Sequence, residues 1–305
     1  MNKGIIYILI SGLAFMVVNL FVKILASGPD QDVISGIQSY PVPEIILFRS
    51  LITFLICCAV IRVKKIPFFG VNKKWLLIRG VFGTTALTMF FFTLDNLPIA
   101  IATTVQYLSP IFTVLIATFL LSEKVRKIQW IFMLVAFVGI AMLGASKFFS
   151  QDTSVTNIDP LWVLLGVLSA LLSGIAYNAI VKCQNTDHPI TVVMYFPLIA
   201  TPIMLLYVVF IEFVLPVGIE WLLVLIIGVF TQIAQIFMTK AFHSENTATV
   251  TPFKYFGSIY AFFIGLFLFG EVISFYGIAS IILILVGVLG NAIFKNSRLK
   301  FNMNK

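Results

Sequence analysis

Charge is what this 305-residue chain has least of: 10% of its residues are Asp, Glu, Lys or Arg, while 60% are hydrophobic. A soluble domain keeps roughly a quarter of its residues charged, so this chain cannot present a water-compatible surface. Cysteine is scarce too. Cys57 and Cys58 sit inside one apolar run and Cys183 follows another, which provides no disulfide framework and marks them as small packing residues. The two histidines, His188 and His243, are isolated and no zinc-type spacing exists, so neither a metal nor a cofactor is expected. The apolar runs do not alternate with polar residues, which excludes a membrane β-barrel. A further absence bears on mechanism. Glu44, Asp95, Glu123, Glu212, Glu220, Glu245 and Glu271 all stand at the ends of apolar runs or between them, and none lies deep inside one.

What is present is a succession of long apolar segments. A bilayer core of about 30 Å needs around 20 helical residues to cross it. Runs of that size cover 4–26, 44–63, 73–94, 98–120, 126–146, 160–182, 190–211, 219–241, 247–269 and 273–294. The expected fold class is therefore all-α, a polytopic membrane protein of ten transmembrane helices. Small residues Ala26-Ser27-Gly28 after the first run could suggest signal cleavage, but the run is longer than a usual signal core and is expected to stay.

The basic residues are distributed unevenly between the connections. The first connection carries Asp30 and Asp32 and no Lys or Arg. The second carries Arg62, Lys64, Lys65, Lys73 and Lys74, and the fourth Lys124, Arg126 and Lys127. Lys182, Lys240 and the tail residues Lys295, Arg298, Lys300 and Lys305 fall on the same side, and Lys147 is the one exception. Under the positive-inside rule both termini are cytoplasmic, with the plasma (inner) membrane the expected location. The net charge of +8 is read as this topology signal, and no nucleic-acid partner is expected. The chain carries no signal of oligomeric state.

Residues 79–139 match residues 227–287 without a gap. Gly80-Val81-Phe82 falls on Gly228-Val229-Phe230, Ala100 on Ala248, Thr103 on Thr251, Tyr107 on Tyr255, Glu123 on Glu271, and Val138-Gly139 on Val286-Gly287. A weaker echo relates Asn19–Lys23 to Asn178–Lys182. Such internal repetition is a mark of transporters built from related halves. The expected organisation is a first five-helix repeat over 1–146, a connecting loop over 147–159, a second repeat over 160–295 and a cytoplasmic tail over 296–305. Five spans per half, an odd number, gives the halves opposite orientation in the membrane.

Several segments resemble the EamA branch of the drug/metabolite transporter superfamily: Pro43-Glu44-Ile45-Ile46-Leu47-Phe48-Arg49, Arg79-Gly80, Leu97-Pro98-Ile99-Ala100-Ile101-Ala102, Ser109-Pro110-Ile111-Phe112 and Leu121-Ser122-Glu123-Lys124. The second half keeps Ala248, Tyr255 and Gly270-Glu271, but Ser258 stands where Pro110 would repeat and no arginine precedes Gly228. The resemblance covers essentially the whole chain. It implies ten helices around a central cavity and carriage of small metabolites, often outward, with the substrate left open.

Polar side chains within the spans mark the candidate site, because in hydrocarbon they face a cavity or a neighbouring helix. Thr247, Thr251, Lys254 and Ser258 form one stripe in the ninth span. Lys254, which repeats Gln106, is read either as lining the cavity or as a structural lysine on helix carbonyls. Tyr107 and Tyr255 flank this pair. Gln232 and Gln235 would hold substrate or bond adjacent helices; Asn19 and Asn178 complete the substrate-binding candidates. Lys23 is a gate or a snorkelling residue, and Arg49 a structural or a substrate-recruiting group. Arg79 is expected to pair with Glu123, and Pro110 to kink the fourth span. Embedded cations without a deep carboxylate favour an anionic or zwitterionic solute. The expected function is a secondary transporter of a small polar metabolite, an exporter or exchanger working by alternating access, with a lipid or amphiphile flippase as the alternative. No convergent catalytic set is present, so an enzyme is not expected.

Overall fold

In hydrocarbon each backbone N–H and C=O must find its partner within the protein, so long apolar runs become helices. The computed structural model describes residues 3–27, 34, 36–97, 99–150, 159–210, 213–260, 263 and 275–294. Its elements are α1 (Lys3–Ser27), α2 (Val42–Lys64), α3 (Lys73–Asn96), α4 (Ile99–Gln106), α5 (Ser109–Leu120), α6 (Lys127–Ser150), α7 (Pro160–Lys182), α8 (Pro189–Val209), α9 (Glu220–Ser244), α10 (Thr247–Val250), a 3₁₀ turn (Thr251–Tyr255) and α11 (Phe275–Ile293). Among the described residues eight helices are long and apolar enough to cross a membrane, and Lys127–Met142 is a shorter apolar helix. The expected ninth span begins as α10, and most of its second half, with Glu271, lies outside the described residues.

Helix starts follow from local chemistry. Asp159 caps α7 by accepting from Leu161 N at 2.9 Å, and His188 Nδ1 caps α8 by accepting from Ile190 N at 3.2 Å. Each is followed by a proline at the first helical position, where its missing N–H costs nothing.

The main packing pairs are α1 with α9, α3 with α7, α2 with α8, and α6 with α11. Glycines matched between the two halves make close approaches. A Cβ on Gly287 would come within 2.5 Å of Phe132 O on α6, and one on Gly139 within 2.9 Å of Ser280 O on α11. Gly80 abuts Tyr195 O on α8, and Gly228 abuts Ile52 on α2. Two buried carboxylates tie loops together. Glu220 accepts from Gln38 N (2.7 Å) and Tyr40 Oη (2.6 Å), while Asp187 accepts from Val71 N (2.5 Å) and Asn72 N (3.1 Å).

The fourth span is interrupted as Pro110 suggests: α4 ends at Gln106, Tyr107 and Leu108 form a turn, and α5 resumes at Ser109. The second half breaks at the matching place although Ser258 replaces the proline. Here Pro252 enters a 3₁₀ turn that ends at Tyr255, the repeat partner of Tyr107. The two tyrosine rings meet edge-on across the breaks, their centroids 6.0 Å apart.

Candidate functional site

A cavity of about 120 Å³ lies among α1, α2, α3, α4, α7, α8 and α9. Its polar lining is Asn19, Arg49, Arg79, Gln106, Ser173, Tyr177 and Gln235; Phe15, Phe90, Phe91 and Phe196 supply most of the apolar wall. Among the described residues no carboxylate lines it. A larger recess of about 350 Å³ between α2, α3 and α8 is almost wholly apolar, lined by residues such as Met204, Leu206 and Phe210, with no charged group among the described residues that line it.

Two guanidinium groups dominate the cavity. Arg49 and Arg79 are 4% and 2% exposed, and their Cζ atoms lie 5.9 and 5.4 Å from the centroid of the same ring, Phe196. Arg79 Nη2 donates to Gln235 Oε1 at 2.9 Å. Among the described residues no hydrogen bond or ion pair to the Arg49 guanidinium is found, and the Nε atoms of both arginines are buried without a partner there. Gly83, one turn beyond Arg79, leaves the room that the guanidinium occupies, since a Cβ there would overlap Arg79 Nη1. Phe196 immediately precedes Pro197, one of two prolines inside α8. A proline there removes a main-chain N–H and loosens the helix where the ring projects.

The Arg79–Glu123 pair expected from the sequence does not form. Glu123 instead accepts from Thr247 N (3.0 Å) and Ala248 N (3.3 Å), the otherwise unpartnered donors at the start of α10. It thereby joins the end of the fourth span to the beginning of the ninth. Helix-start N–H groups attract a carboxylate as effectively as a distant cation would.

Lys254 does not line the cavity. Its Nζ stands 3.6 Å from the centroid of Tyr177, a ring that does line the cavity and that stacks on Phe242. Gln106 does line it, but is held by α7: its Nε2 donates to Ser173 Oγ (3.3 Å), and its Oε1 accepts from Ser169 Oγ (3.0 Å). Gln235 and Asn19 line it as well. Gln232 faces α2, where its Nε2 donates to Cys57 Sγ at 3.2 Å. Asn178 Nδ2 bonds Thr113 O (2.9 Å) and Gly174 O (2.8 Å), fastening α7 to α5. Ser258 donates to Tyr255 O at 2.7 Å, one turn back, and Tyr255 is fully buried with its hydroxyl unpartnered. The side chains of Lys23 and Asp95 are outside the described residues. Lys182 places its Nζ 5.8 Å from the Trp75 ring. Phe196, Gly83, Ser169 and Ser173 escaped the sequence reading. The Phe-Pro pair inside an apolar run is the one signal that could have singled out Phe196.

Among the described residues no group of three or more His, Cys, Asp or Glu could hold a metal ion.

Helices crossing a membrane around a polar central cavity define a multi-pass membrane protein of the transporter class. Residues 2–145 and 160–293 match the EamA-like transporter family, and the chain belongs to it. It is 27% identical over 291 residues to the pseudopaline exporter CntI of Pseudomonas aeruginosa, covering 95% of each chain. It is 26% identical to human solute carrier family 35 member G1, covering 96% of this chain and 79% of that one. The S-adenosylmethionine uptake transporter of Rickettsia prowazekii matches at 24% over 67% of this chain and 65% of its own. A solved crystal structure at 18% identity superposes with a TM-score of 0.76 over 95% of this chain and 96% of that chain, which establishes a shared fold.

Proposed function

We propose that the protein is a secondary carrier for a small anionic or zwitterionic metabolite, working by alternating access as an exporter or exchanger. The observation that carries this is a cavity lined by two buried arginines and, among the described residues, no carboxylate. A cation entering it would meet like charge at low dielectric; an anion would meet charge-assisted donors. Arg79 and Arg49 bind the anionic part, Asn19, Gln106 and Gln235 orient the solute, and Lys254 acts through the ring of Tyr177. Tyr107 and Tyr255 pack at the helix breaks, while Gln232, Asn178 and Ser258 hold helices in place.

The helices are ten spans in two inverted halves, with both termini cytoplasmic in the plasma (inner) membrane. Helix pairing supports this. Exchanging each span for the one five later turns the α1–α9 pair into α7–α3 and leaves the α2–α8 and α6–α11 pairs unchanged. The matched glycines serve reciprocal contacts under the same exchange. Two similar halves that swap conformations convert an inward-open carrier into an outward-open one. Relatives named as an exporter and as an uptake transporter are consistent with either direction.

The apolar recess beside α8 is the single feature favouring a lipid flippase, and among the described residues it offers no charged group for a headgroup. Proteoliposomes loaded with a metabolite extract and challenged with labelled anions, zwitterions and cations test the proposal. Saturable counterflow of an anion or zwitterion is expected. Transport of cations alone would overturn the substrate class, and uphill uptake driven solely by an imposed pH gradient would overturn exchange.

A further inference from the structure

We infer that the cavity is built for a doubly charged anion, such as a dicarboxylate or a phosphate monoester; this rests on the anion-carrier proposal above. Two permanently charged guanidinium groups share the ring of Phe196 at 5.9 and 5.4 Å, each almost wholly removed from solvent. Among the described residues a single N–H donor of the two side chains, on Arg79, is taken up by a protein oxygen, that of Gln235. Arg49 finds no hydrogen-bond partner or counter-ion among those residues, and its Nε is buried and unpaired. Glu123, the carboxylate that could have neutralised Arg79, is occupied by the amides of Thr247 and Ala248. The cavity therefore carries two positive charges that the fold does not balance. A monoanion would neutralise one and leave the other in a low-dielectric interior. A dianion balances both, and each guanidinium offers a planar fork that suits a carboxylate or a phosphoryl group.

Phe196 adds geometry to charge. Because both guanidiniums lie within 6 Å of one ring centre, acidic oxygens a few bonds apart can reach both. A diacid series should accordingly show a chain-length optimum, whereas a phosphate monoester would present its oxygens from one centre.

The test uses the full-length protein, purified and reconstituted, with defined probes: malonate, succinate, glutarate and adipate as diacids, methyl phosphate, butyrate as a monoanion, alanine as a zwitterion and choline as a cation. Binding is read by ligand-induced melting shifts and by competition for uptake. At least one dianion should bind about tenfold to a hundredfold more tightly than butyrate. Arg49→Gln should abolish that preference and Arg49→Lys restore part of it. The two dianion arms identify the source chemistry: a diacid optimum points to a dicarboxylate, tighter methyl phosphate to a phosphate monoester. Butyrate or alanine binding as tightly as every dianion would overturn the dianion assignment while leaving an anion or zwitterion carrier standing. Binding of choline and of no anion or zwitterion would overturn both. Should Arg49→Gln fail to fold, Arg79→Gln puts the same question to the second cation.

Discussion

Replacing Arg49 by methionine should make the substrate-free protein more stable while removing its capacity to bind. The side chain is 4% exposed, has no hydrogen-bond partner or counter-ion among the described residues, and receives compensation from one aromatic ring at 5.9 Å. A contact of that kind is worth about 0.5–2 kcal/mol, against an effective penalty of several kcal/mol for withdrawing an ion from water. Methionine keeps the apolar stem to about the position of Nε, gives up the guanidinium contact with Phe196 and eliminates the penalty. Replacement of poorly compensated buried ions by apolar groups has gained about 1–4 kcal/mol elsewhere. For a chain of this size that corresponds to a rise of several degrees in Tm. The assay is thermal unfolding of purified wild type and Arg49→Met, each with and without a bound anion. The variant should melt higher without the anion and show no anion-induced shift; the wild type should show the reverse. A variant that melts lower than wild type without anion would refute the reasoning, because it would mean that the protein itself balances Arg49.

Glu123→Ala should destabilise the protein by about 1–3 kcal/mol through loss of the two amide contacts at Thr247 and Ala248. In a double-mutant cycle with Arg79→Gln the effects should add within about 0.5 kcal/mol, whereas coupling well above that would restore the ion pair expected from the sequence. Gly83→Val should displace the Arg79 guanidinium and weaken anion binding without altering Arg79 itself; binding equal to wild type would show that the space beside Arg79 is not needed. Gly287→Leu should lower Tm sharply, since Phe132 O and Ala136 N stand 2.5 Å from its Cβ position, and an unchanged Tm would contradict the α6–α11 packing. With native cysteines replaced, Ser39→Cys should react with an impermeant thiol reagent in intact cells and Lys64→Cys should not. The opposite pattern would reverse the proposed orientation.

The sequence by itself determined the membrane class and the helical fold, which rest on composition and the length of the apolar runs, and its motifs carried the resemblance to the family. It also placed Arg49, Arg79, Gln106 and Gln235 in apolar helices where an unpaired polar group needs a purpose, and the cavity gathers all four. Tertiary structure alone decided which face each helix presents. These helices are apolar around their whole circumference, so the lipid side and the protein side look alike in sequence, and roughly 100° per residue separates a cavity position from its neighbour. Lys254 illustrates the consequence: its position within a span was legible, but the Tyr177 ring over which its Nζ sits comes from α7, far away in the chain. Glu123 could have met Arg79 or a helix start, and the arrival of α10 beside α5 settled it. Phe196 was one of 31 phenylalanines until the folding of α2, α3 and α8 brought two arginines to the same ring.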